Sequence, residues 1–124
     1  MVDFGLANIN DIMKINEKAK REFPVDSLFM SGKQNDEIIM WFSFRVEEKA
    51  IEIVDIYADD NDENLLFFCG KAGLNTLDLT GYRNIISKNN EIKDILYKLG
   101  FEKKEEGYHL TITDDYFKAG CKRF

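Results

Sequence analysis

The chain has 124 residues, 44% hydrophobic and 32% charged, a composition that fits one globular domain with its own core and neither a disordered nor a fibrous chain. Its formal net charge of -6 excludes nonspecific attraction to nucleic acid or to an anionic membrane. Even its most basic spot, Lys103-Lys104, is followed at once by Glu105-Glu106.

Taken in chain order, the apolar start Val2 to Leu6 reads as a strand. "NINDIMKINEKAKREF" then predicts a helix with Ile9, Ile12, Met13 and Ala19 on one face, Asn8 as its cap, Asp11 near its positive end and Pro24 as its stop. "SLFMSGKQ" and "EIIMWFSFRVEE" read as strands joined by a turn at Gln34-Asn35-Asp36, and "AIEIVDIYA" as a further strand after the charged turn at Glu47-Glu48-Lys49.

From about Asp62 to Thr80 the apolar period changes to that of a helix, with Leu65, Leu66, Cys69, Ala72, Thr76 and Leu77 on one face and Gly81 as its C-terminal cap. Apolar flanks at Phe67, Phe68 and Leu74 require cover on most sides. "RNIIS" is a brief strand, and "NEIKDILYKLG" a helix with Ile92, Ile95, Leu96 and Leu99 inward, ended by Gly100. "FEKKEEGYHLTIT" reads as two strands turning at Gly107, and "DDYFKAGCKRF" as a short helical tail capped by Asp114 or Asp115. The order β-α-β-β-β-α-β-α-β-β, over a single domain spanning residues 1–124, argues for an α/β fold: a mixed central sheet flanked by helices.

That order and the local text resemble the GNAT acetyltransferase superfamily over nearly the whole chain. "VDFGLANINDIMKI" looks like the family's opening strand and first helix, "AIEIVDIYADD" like its fourth strand, and "KNNEIKDILYKLGFE" like its last helix and the strand after it. The most specific piece is "LYKLGFE", residues 96 to 102. The resemblance implies acetyl-CoA between splayed parallel strands at residues 51–58 and 83–87. A Q/R-x-x-G-x-G/A loop would hold the pyrophosphate at the start of the following helix. On this chain the cofactor would touch Ile56, Tyr57, Ala58, Asp62, Glu63, Asn64, Leu65 and Asn89.

The chain departs from that pattern. Where the loop belongs it carries Asp59, Asp60, Asn61, Asp62, Glu63 and Asn64, with no glycine and no basic residue. These carboxylates oppose a like-charged pyrophosphate, yet they suit a helix start, and Asp60 with Glu63 has capping-box spacing. "CGKAG" at 69 to 73 imitates the missing glycine-rich loop. A helix beginning after it would span only about 10 Å, against roughly 27 Å from Asp62, so Gly70 and Gly73 are expected inside the helix where close packing needs them.

The resemblance makes Glu52 a general base acting through water, the other reading being a solvent-facing strand residue. Asn89 is a cofactor contact or an ordinary helix cap. The family's thiolate-protonating tyrosine falls on Leu96, and Tyr97 beside it is rotated about 100° around the helix. Only residues 8 to 23 remain to wall the acceptor side.

Other constellations fade. Cys69 and Cys121 match no metal or redox spacing, and reduced thiols together with apolar runs as short as "LLFFC" lead us to expect a cytoplasmic protein without a membrane segment. His109, the only histidine, alternates with the apolar face of its strand and reads as a surface residue. Asp60, Asp62 and Asn64 lack the glycine and closing Glu of a calcium loop, so no metal is expected. Trp41, Phe42 and Phe44 are expected in the core. Two functions follow: a fold that keeps its groove for a small molecule or a protein partner, a second copy included, with acyl-CoA chemistry lost or reduced; or an active N-acetyltransferase with acetyl-CoA as cofactor and direct attack of an amine.

Overall fold

The computed structural model describes residues 2–117. Its strands are β1 (Asp3–Leu6), β2 (Leu28–Gln34), β3 (Glu37–Val46), β4 (Ile51–Ala58), β5 (Asn84–Ser87), β6 (Glu102–Lys104) and β7 (Gly107–Thr111). Its helices are α1 (Ile9–Ala19), α2 (Glu63–Leu79) and α3 (Lys93–Leu99), with single 3-10 turns at Asp59–Asn61 and Asn90–Ile92. The expected order of elements is therefore found. Of the expected C-terminal tail, Lys118 onward, Cys121 included, lies outside the described residues.

The seven strands form one sheet in the order β1-β2-β3-β4-β5-β7-β6. Every neighbouring pair is antiparallel except β4 and β5. α1 packs on one face, where Ile15 meets Phe29, Ile38 and Trp41. α2 and α3 cover the other, where Cys69, Leu74, Leu77, Ile95, Leu96 and Leu99 join the larger core. Cover on both faces explains why β3 reads as an almost unbroken apolar run. Trp41, Phe42 and Phe44 are all buried, as expected.

Local rules account for most element ends. Asn8 and Asp11 form a reciprocal capping box on α1. Asn35 and Asp36, both at positive φ (53° and 66°), make the two-residue turn between β2 and β3 whose twist suits a hairpin. Gly100 stops α3 at φ 101°, a conformation that costs other residues. His109 alternates with buried Tyr108 and Leu110 on β7 and is half-buried rather than fully exposed.

Four expectations need correction. α1 ends at Lys20, in the left-handed conformation, four residues before Pro24. Its inward stripe is Ile12, Ile15 and Ala19, whereas Ile9 and Met13 are 75% and 61% exposed. Both stripes fit helical spacing, and contact with Trp41 and Phe29 selects the one containing Ile15. On α2 the buried line is Cys69, Gly70, Gly73, Leu74 and Leu77, so Leu74 belongs to the core rather than the flank, while Phe68 is exposed. The cap of α2 is Asp62, not Asp60, which sits inside the 3-10 turn at φ 59°.

Gly70 and Gly73 do lie inside α2. A Cβ on Gly73 would stand 2.4 Å from the Phe42 ring, and one on Gly70 2.6 Å from a Leu99 methyl. The helix is seated on the sheet and on α3 through these two gaps.

Candidate functional site

The groove begins with a fault in β4. Ser43 faces Asp55 and Phe44 faces Ile53, so Val54 is an extra residue, a β-bulge. Ile53 and Ile56, three apart, consequently share the core beneath α2 and α3, which strict alternation forbids. β4 pairs with β5 only over Ile51–Ile53, and beyond that the two strands part.

Side chains stitch the parting strands. The buried Ser87 hydroxyl donates to the Ile53 carbonyl at 3.0 Å, and Asn89 Nδ2 donates to the Val54 carbonyl at 2.9 Å. Asn89 Oδ1 meanwhile accepts from the Glu91 amide at 2.9 Å, so this residue caps the 90–92 turn and holds the strand edge at once.

Two cavities flank the opening. The first, about 260 Å³, lies between β4, the start of α2 and α3; Ile56, Leu66 and Ile95 supply its apolar walls, and Glu63, Glu91, Asp94 and Lys98 its charges. The second, about 270 Å³, takes in the segment after α1 and is bounded by Ile53, Val54 and Pro24, with Arg21, Arg45, Lys88, Glu52 and Asn89 as polar groups. The charged residues lining the first are thus mainly acids and those lining the second mainly bases.

The expected site residues divide between them. Ile56, Tyr57 and Glu63 line the first cavity; Glu52 and Asn89 line the second. Ala58, Asp62, Asn64, Leu65 and Tyr97 line neither of the two. Ala58 is buried in the core. Asp62 Oδ1 accepts from the amides of Asn64 (2.9 Å) and Leu65 (3.2 Å), the donors a phosphate would need. Tyr97 packs edge-on against Tyr108 on another side of α3.

Tyr57 stacks on Trp41 at 4.0 Å between ring centroids and donates its hydroxyl to Asp59 Oδ1 at 2.9 Å. Burial, and then that carboxylate, push its phenol up to about 12, so it stays protonated at neutral pH. Glu52 Oε1 accepts from Arg45 Nη1 at 3.1 Å. Arg45 is itself gripped by Asp26 through Nε (2.8 Å) and Nη2 (3.0 Å).

Several groups have no signal in the local sequence. Lys98 reaches Glu63 at 3.3 Å and Lys18 reaches Asp59 at 2.7 Å, so the acidic turn has two cationic partners brought from α3 and α1. Asp55 is buried, accepting from Trp41 Nε1 at 2.8 Å with Arg21 at 3.7 Å. Burial raises its pKa above 3.8, against the opposing pull of Trp41 and Arg21. Among the described residues no cluster of side chains could hold a metal ion, and no helix is long and apolar enough to cross a membrane.

Solved structures share this architecture. A protein assigned to the GNAT acetyltransferase family from Desulfovibrio desulfuricans superposes with a TM-score of 0.73 at 11% identity, covering 91% of this chain and 100% of that one. The chain has the GNAT fold. The GNAT family N-acetyltransferase YhbS from Escherichia coli, solved with CoA, gives a TM-score of 0.72 at 14% identity over 93% of this chain and 83% of its own. The PaiA N-acetyltransferase of Thermoplasma acidophilum, also solved with coenzyme A, gives 0.67 at 10% identity over 89% and 97%. No family model and no curated protein matches the sequence. At such identities the GNAT likeness concerns the fold, and activity has to be argued from the groove itself.

Proposed function

We propose that this acetyltransferase-like protein uses the groove between β4 and β5 as a small-ligand site, with acetyl transfer from CoA lost or reduced. The observation that carries the reading is the occupied start of α2: Asp62 already takes the Asn64 and Leu65 amides. A diphosphate would have to displace that carboxylate while facing Glu63, Glu91 and Asp94, with Lys98 as the one cation among the described residues lining the first cavity.

Calorimetry and thermal unfolding with millimolar acetyl-CoA test this directly. The expected result is no binding heat and no rise in Tm. Saturation at a hundred times Kd would instead add about 2.7 kcal/mol of stability, and such a rise overturns the reading.

One observation favours the active alternative: β4 and β5 part where the resemblance puts acetyl-CoA, and Asn89 bridges the two strand ends at that opening. Should acetyl-CoA bind and an amine be acetylated, Glu52→Gln decides the base. Loss of about 10²-fold or more in kcat assigns the role to Glu52, and unchanged turnover retires it.

A further inference from the structure

In a chain of net charge -6, three basic side chains from three separate segments converge on the cavity beside α1: Arg21 after that helix, Arg45 on β3 and Lys88 after β5. Their circumstances differ. Arg45 spends Nε and Nη2 on Asp26 and Nη1 on Glu52, so its work is to hold the Glu52 carboxylate in place. Arg21 lies against the Phe23 ring at 5.1 Å, with the buried Asp55 behind it at 3.7 Å, beyond ordinary hydrogen-bond reach. Lys88 is exposed and makes no ion pair with the described residues.

The charges facing a ligand are therefore Lys88, Arg21, which shares its charge with Asp55 and keeps further N–H donors, and one carboxylate, whose Oε2 is not engaged by Arg45. That set complements a molecule carrying both a carboxylate and an ammonium group. The cavity, about 270 Å³, lies just below the usual range for drug-sized ligands of about 300–1,000 Å³ and suits something smaller. Ile53, Val54 and Pro24 offer apolar walls to a side chain.

We propose that this cavity binds a free α-amino acid as its zwitterion, the carboxylate between Arg21 and Lys88 and the ammonium at Glu52. The proposal rests on the reading of the groove as a small-ligand site, and it concerns the second cavity, whereas acetyl-CoA would occupy the first.

The test is an amide-resolved NMR titration of the full chain with L-alanine to about 20 mM, a range that captures millimolar Kd values. Propionate and ethylamine serve as half-probes. L-Alanine should shift the amides of Ile53, Val54, Lys88 and Asn89, with each half-probe binding about tenfold or more weaker. Lys88→Ala, at an exposed position that leaves the fold intact, should weaken L-alanine about tenfold, and Glu52→Gln should abolish its advantage over propionate.

Absence of shifts at those amides overturns the proposal, as does equal binding of propionate or an unaltered Kd in Lys88→Ala. The two readings fail separately. Binding of acetyl-CoA would remove the lost-chemistry reading while leaving these four amides informative, and silence toward L-alanine would remove this proposal alone.

Discussion

Asp55 illustrates how one side chain's position changes its chemistry. In the sequence it is an acid within an apolar strand; in the fold it is buried against Trp41. Because its folded-state pKa is raised above 3.8, the native chain binds that proton more tightly than the unfolded chain does. Stability therefore falls as pH rises from the unfolded value through the folded one, and does not change further on this account above it. Asp55→Asn has no such proton to lose. Urea denaturation of variant and parent across this window should show the difference moving in the variant's favour as pH rises from about 4, and a difference flat with pH counts against the assignment. Gly73 gives a steric counterpart. Alanine is the better helix former by about 1 kcal/mol, but its Cβ would enter the Phe42 ring, so Gly73→Ala should lose about 1–3 kcal/mol net in the same assay. Gly70→Ala, which meets the end of the Leu99 side chain, should lose less.

Among the elements, α2 shows how far local reading reaches. Its length, its C-terminal glycine and the interior place of its two small glycines all follow from spacing and helix geometry. Its cap does not, because Asp60 and Asp62 are both good capping residues and only the left-handed turn at Asp60 and Asn61 decides between them. Asp62→Ala should cost about 1 kcal/mol in chemical unfolding through the lost cap. α1 carries the same lesson. Its capping box was legible in the sequence, while the choice between the Ile9–Met13 stripe and the Ile12–Ile15 stripe needed the sheet beneath it. The bulge at Val54 left no trace in the apolar pattern of β4, since Val is as good a strand residue as its neighbours.

For the whole molecule, the two core clusters on either side of one sheet predict cooperative unfolding. Cys69, fully buried on the inner face of α2, reports on it: its thiol is pushed up by burial and donates to the Trp41 carbonyl at 3.3 Å. In a Cys121→Ser background, alkylation of Cys69 should be slowed by about 10³-fold or more relative to the unfolded chain and should track global unfolding. Fast labelling of the native chain would show α2 opening on its own.

Element order, most ends and the acidic character of the α2 start were determined by the sequence alone, because caps, turn residues and apolar period act within a few positions. Tertiary structure decided the rest. The parting of β4 from β5, the cationic partners Lys18 and Lys98, the burial of Asp55 and the opposite charge of the two cavities all join residues far apart in the chain. No local rule relates such residues; they are brought together when both faces of the sheet are covered.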